Sequence, residues 1–252
     1  MNGIRLASRQ LVRYPGFSAV VIATLALGLG ACTLIFSAVN GVLLKPLPYP
    51  EPERIVRVRQ VGANGNASSN ISEPNFSDLH EQARSLSALA RYAVGTQPVS
   101  GGSESTRVST ASVSAEFFDV VGIRPLAGRS FLPEERAVGA APVAVIGHSY
   151  WQRYFGGDPE LGERTLRIAD RTYSIVGVMP AGFDYPDGAE ICTPAELWPL
   201  GESRTAHNWR AVGRLASGVS LAQARAHLGA IARRVKAEHG HDTWMFAAAV
   251  DP

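Results

Sequence analysis

Cysteine is almost missing from this chain: Cys32 lies inside a long apolar run and Cys192 far beyond it. A pair placed so unevenly is not a disulfide framework, and it leaves the redox compartment unread. Lysine is equally scarce, with Lys45 and Lys236 the only two, so arginine carries nearly all the positive charge. Those arginines are interleaved with acids to a formal net charge of +2, which excludes the clustered basic footprint of a nucleic-acid binder. No glycine-rich loop ending in Lys-Ser or Lys-Thr is present, so the chain does not cradle ATP in the P-loop manner. No Gly-x-Ser-x-Gly elbow occurs either.

Charge itself is missing from Tyr14 to Leu44, about thirty residues. That exceeds the roughly 20 apolar residues a helix needs to cross a bilayer, and predicts a transmembrane helix over 17–44. Arg5, Arg9 and Arg13 precede the run with no acid among them, whereas Glu51 and Glu53 accompany Lys45, Arg54 and Arg57 after it. The positive-inside bias therefore puts residues 1–16 in the cytoplasm, as an interfacial amphipathic helix with its arginines on one stripe, and residues 45–252 outside. A cleaved signal peptide would have an apolar core of about half this length. Leu29-Gly30-Ala31-Cys32 resembles a lipidation site, yet apolar residues continue to Leu44, which a mature lipoprotein N-terminus would expose to water. Gly28, Gly30, Ala31, Ser37 and Gly41 are spaced for close helix packing in lipid and imply partner helices.

Beyond the run the pattern is that of an α+β domain. Ile55 to Gln60 alternates as a half-buried strand, and Gly62 to Asn70 is a loop. A helix opens at Ser72-Glu73-Pro74 with Phe76, Leu79, Ala83 and Leu86 on one face. Arg107 to Val113 reads as a strand, and Ser114 to Val121 as a short helix stopped by Gly122. Pro142 to Gly147 is an apolar strand and Ser149 to Phe155 a short aromatic helix; Arg164 to Ile168 and Tyr173 to Met179 form a hairpin. Pro180 to Pro199 has no period and is expected to be an irregular cap. After the strand Trp209 to Leu215, Ser220 and Gln223 make a capping box for a helix burying Leu221, Ala224, Leu228, Ile231, Ala232 and Val235. The predicted architecture is two-lobed: Ile55–Pro133 and 204–250 form one α/β lobe, a mainly β lobe of about 138–200 is inserted in it, and the helix after Ser220 packs on the same sheet as the helix of Phe76.

Candidate chemistry is thin. His239-Gly240-His241-Asp242 has ligand-type residues but lies just past a helix end, where polar turns are expected. His148 beside Ser149 lacks a carboxylate partner for hydrolysis. Three sequons beginning at Asn66, Asn70 and Asn75 are ordinary loop content. Trp151, Tyr154, Phe155, Phe183, Tyr185 and Trp198 would line a ligand cleft between lobes if they formed one groove, and are core if buried. The sequence offers no catalytic, cofactor-binding or metal residue.

One resemblance gathers these pieces. LASRQLVRYPGFSAVVIATLALGLGACTLIFSAVNGVLLKPLPYPEPERIVRV, SAEFFDVVGIRPLAGRSFLPEE, VAVIGHSYWQRYFGGDPELGERTLRI, YSIVGVMPAGFDYP and WRAVGRLASGVSLAQARAHL resemble successive landmarks of MacB-type (MacB/FtsX-like) ABC transporter permeases, especially the duplicated orphan permeases of acidobacterial type. The resemblance implies an inner-membrane helix followed by a periplasmic porter-like lobe with an insert. It also implies mechanotransmission or efflux: a separate cytoplasmic ABC ATPase, further permease helices or a second permease copy, and a periplasmic adaptor as partners. Neither enzyme activity nor a cofactor is implied. Such permeases continue into more membrane helices, whereas this sequence has one apolar run, as expected of part of a permease or of a stand-alone anchored module.

Overall fold

The computed structural model describes residues 15–39, 49–100, 105–162 and 164–252. The proposed amphipathic helix and the end of the apolar run lie outside them. The chain divides into two units, residues 1–47 and 48–252.

In the first unit, helix α1 (Pro15–Val39) contains a 23-residue apolar stretch, Pro15–Ser37, whose most apolar 18-residue window has mean hydropathy 2.4. At 1.5 Å per residue it is about 37 Å long, enough for the hydrocarbon core with some tilt. Leucines 25, 27, 29 and 34 are all well exposed, an arrangement that water disfavours and lipid accepts. Thr24 and Thr33 return their hydroxyls to the carbonyls of Val20 and Leu29 at 2.8 Å, so neither leaves a bare donor on that surface.

The second unit is built on one sheet. Strands β1 (Ile55–Val61), β2 (Ala67–Ser68), β3 (Leu86–Ser100), β4 (Ser105–Val113), β5 (Ala127–Gly128), β6 (Val143–Ile146), β7 (Thr165–Ile168), β8 (Arg171–Val178), β9 (Ile191–Pro194), β10 (Arg210–Leu215) and β11 (Ala247–Asp251) run in the spatial order 11-1-10-3-4-9-6-8-5. β2 pairs β1, and β7 pairs β3 and β8. The first five strands of that order are antiparallel; β4 with β9 and β6 with β8 are parallel.

Alternation decides which face each strand buries. Val56, Val58, Leu89, Ala211 and Leu215 join α2 (Glu73–Gln82) and α5 (Leu221–His239) in one core. The next residues along, Ala90, Tyr92 and Val212, point to the opposite face against α3 (Phe117–Val121). A third core surrounds β6, β8 and α4 (His148–Phe155), and takes Val99 and Val108 from the far end of the β3–β4 hairpin. That hairpin therefore reaches from the first core into the third. The helix after Ser220 does pack with the helix of Phe76 on the same sheet, held at its start by the reciprocal Ser220–Gln223 box.

Two readings from sequence are corrected, and one strand was not read at all. The helix of Phe76 stops at Gln82, and Leu86 opens β3 instead of completing a helical face. β3 itself escapes the period-two test because four consecutive residues, Leu89 to Tyr92, are buried on the sheet's two covered faces. Within the stretch expected to be irregular, Ile191–Pro194 is an interior strand with all four residues buried, so it too shows no alternation.

Candidate functional site

Polar groups concentrate where α2, β3, the turn before α3 and the turn after β9 meet. Ser72 caps α2 by accepting from the Asn75 amide, and Pro74 suits the first turn, so Glu73 is turned inward and only 4% exposed. Alternation on β3 puts Arg91 on the same face as Leu89, and its Nε lies 3.0 Å from Glu73 Oε2. The guanidinium is flanked by Phe76 at 5.5 Å and Trp209 at 4.8 Å. Parallel pairing of β9 with β4 sets Val113 opposite Pro194, which brings Glu196 to the Ala115 amide at 2.9 Å. Ser114 accepts from the Arg91 amide and donates to Glu116, which meets His80 at 3.5 Å.

The electrostatics of this junction are uneven. Burial pushes the Glu73 carboxyl up; Arg91 opposes that and Glu196 reinforces it. The hydrogen bond to Glu116 raises His80. Burial alone would raise Glu116, but the His80 hydrogen bond and its charge hold it below the usual carboxylate range. Glu73 Oε1, Glu196 Oε2 and Arg91 Nε have no hydrogen-bond partner, the Glu73–Arg91 contact being out of line for one. The one hydroxyl joined to these carboxylates, Ser114, is 2% exposed and held between the Arg91 amide and Glu116. The arrangement can fix one segment of the sheet against another by charge, which is positioning rather than catalysis.

A second polar knot centres on Asn75, whose Oδ1 accepts from Arg204 at 3.0 Å and Thr243 at 3.1 Å while Arg204 also meets Asp78 at 2.5 Å. A third holds the start of the domain. Arg214 donates to Val120 O at 2.8 Å and to Pro50 O at 3.0 Å, tying the incoming chain to α3.

The residues singled out from sequence do not converge. His148 starts α4 edge-on to Trp151 at 5.5 Å, and among the described residues neither it nor Ser149 meets a carboxylate. His239 to Asp242 close the end of α5, where Lys236 bonds the carbonyls of Gly240 and Thr243; among the described residues no metal-binding group of three or more is assembled. The aromatics separate: Trp151, Tyr154 and Phe155 belong to the third core, Phe183 and Tyr185 to the second, and Trp198 is exposed under Arg171. They line no common groove. The Glu73–Arg91–Glu196 junction was missed. A lone arginine inside LSALARYAV was its one signal.

With the sheet order and the Pro50 tether in view, the comparisons with known proteins fall into place. The MacB-like periplasmic core domain model matches residues 18–231. This chain belongs to that family. Solved MacB-like domains share its fold. The periplasmic region of MacB from Actinobacillus actinomycetemcomitans superposes with TM-score 0.57 at 13% identity, covering 78% of this chain and 87% of that one. A domain of a putative permease from Porphyromonas gingivalis gives 0.61 at 19%, covering 81% and 92%. The extracellular domain of the noncanonic ABC-type transporter YknZ from Gram-positive bacteria gives 0.55 at 16%, covering 79% and 100%. No curated protein sequence matches.

Proposed function

We propose that this chain is the membrane-anchored N-terminal part of an ABC transporter permease subunit, passing the conformational change of a separate cytoplasmic ATPase to the periplasm, for export or signalling. Residues 1–16 are its cytoplasmic preamble, 17–44 its inner-membrane helix and 45–252 its periplasmic domain, with an inserted lobe at about 138–200.

One observation carries this reading. β1, the first strand after the apolar run, pairs antiparallel with β11, the last, with Arg57 opposite Asp251. The start of β1 and the end of β11 therefore lie at the same end of the same sheet, about 5 Å apart. A domain carried between two membrane helices needs its two connections side by side in this way. Rigid-body motion of such a domain is transmitted through both connections at once.

The orientation is tested by thiol labelling with a membrane-impermeant reagent in intact cells. Cys192 is 2% exposed and its thiol is pushed up to about 12 by burial, so it stays silent. In a Cys32→Ala background, Asn64→Cys should label and Ser8→Cys should not; the reverse pattern overturns the orientation. The purified chain should hydrolyse no ATP, having no phosphate loop. ATPase binding should appear when the following helices of a similar permease are added. Equal, saturable binding to the unextended chain would assign the coupling to α1 and its preamble instead.

A further inference from the structure

Gly122 ends α3 in the left-handed region, and a side chain there would meet Pro50 at 3.5 Å and Arg214 at 3.0 Å. The loop that follows opens a cavity of about 510 Å³ lined by Phe118, Asp119, Ile123, Arg124, Pro125 and Arg129. Beside it Leu126 is 59% exposed. Its amide is held by Val178 O at 2.7 Å, so the backbone fixes this leucine in place on the outside. Arg129 is held by Glu135 through both its terminal nitrogens, whereas Arg124 is exposed and outside every ion pair among the described residues. An exposed leucine and an uncommitted arginine beside a cavity of mixed polar and apolar lining are the elements of an interfacial lipid contact.

Chain length names the occupant. Five residues, Lys45 to Tyr49, separate the uncharged run from Pro50, and fully extended that stretch reaches only about 20 Å. A chain anchored by that run cannot carry the Pro50 end of the domain far from lipid. We propose that the loop from Gly122 to Arg129 is a bilayer-contacting surface, Leu126 entering the headgroup layer and Arg124 pairing with anionic lipid phosphate. Asp119 and Glu134 limit how much negative lipid it attracts, so the contact is one of position and not of deep insertion.

The proposal rests on the anchoring reading, and the experiment separates the two. The full chain is placed in lipid nanodiscs containing phosphatidylcholine, phosphatidylglycerol and a phospholipid carrying a nitroxide quencher. A fluorophore on the native Cys32 reports anchoring. In the Cys32→Ala background, fluorophores on Leu126→Cys, in the loop after Gly122, and on Asn64→Cys, in the turn beyond the far end of β1 from Pro50, report the surface. Strong quenching at Leu126 with little at Asn64, reduced severalfold by Arg124→Glu or by omitting phosphatidylglycerol, is expected. Quenching at Cys32 with equal, weak quenching at Leu126 and Asn64 overturns this proposal alone. Absence of quenching at Cys32 overturns the anchoring itself. Shielding of the Leu126 fluorophore that requires a second copy in the disc, without quenching by lipid, assigns the surface to self-association and likewise overturns the proposal.

Discussion

At the scale of single residues, the junction around Arg91 makes the sharpest demands. Glu73 and Arg91 are 5% and 7% exposed at their side chains, and removing one partner of a buried pair strands the other charge. Arg91→Met alone should cost about 3–5 kcal/mol, while Arg91→Met with Glu73→Leu should recover much of that loss, because two apolar groups need no compensation. Chemical denaturation of the two variants and of Glu73→Leu measures the coupling; strict additivity would mean the pair is not a unit. The His80–Glu116 contact gives a pH signature. His80 is raised in the folded state, so its stabilisation is complete below its ordinary value near 6.5 and fades as pH rises through the folded one. Glu116 is lowered, so its share is present above its ordinary value and is lost as pH falls through the folded one. The pair should thus stabilise most at mildly acid pH. Both side chains are about a third exposed, which screens the effect to roughly 0.2–1 kcal/mol. Thermal unfolding of His80→Gln should show a flatter pH dependence from pH 5 to 8.

At the scale of elements, the β5–β8 contact is the least forgiving. Gly128 and Gly177 stand opposite each other in register, Gly128 at φ +71. A methyl group on Gly128 would fall 2.2 Å from Val176 O, and one on Gly177 2.3 Å from Arg129 O. Either Gly→Ala change should destabilise by about 1–3 kcal/mol or more, through overpacking against backbone that has no room to shift, with the left-handed conformation adding to the cost at Gly128. Ser220→Ala is the milder counterpart: losing both halves of the capping box should cost about 1 kcal/mol and fray the start of α5, read by hydrogen exchange. The elements legible in the sequence were those whose pattern is set by one wet face and one dry one. β1, α2, α5 and the β7–β8 hairpin are of that kind. β3 and β9 were not legible, because a strand covered on both faces loses its period. Arg91 and Glu196 could not be assigned to one junction from sequence either, since they are 105 positions apart and Glu196 reaches it only once β9 has paired with β4.

At the scale of the whole molecule, the sheet is closed by its latest part. β11 is an edge strand that covers one side of β1, while β10 covers the other. Removing Ala247 to Pro252 should leave β1 with an open flank beside β2, and the truncated chain should aggregate or lose its sharp thermal transition. Retention of a cooperative transition at an unchanged midpoint would show that β11 is dispensable.

The pairing of the first strand with the last also sets a clock. Arg59 and Asp251 are bonded across 192 positions of sequence, so β1 emerges long before its outer partner exists. At synthesis speeds of about 5–20 residues per second, it waits roughly 10–40 s for that partner. Throughout that interval its flank is open to proteases and to the strands of neighbouring nascent chains. The pairing of strands so far apart in sequence thus obliges the domain to mature late, and makes its yield depend on whatever guards unfinished chains.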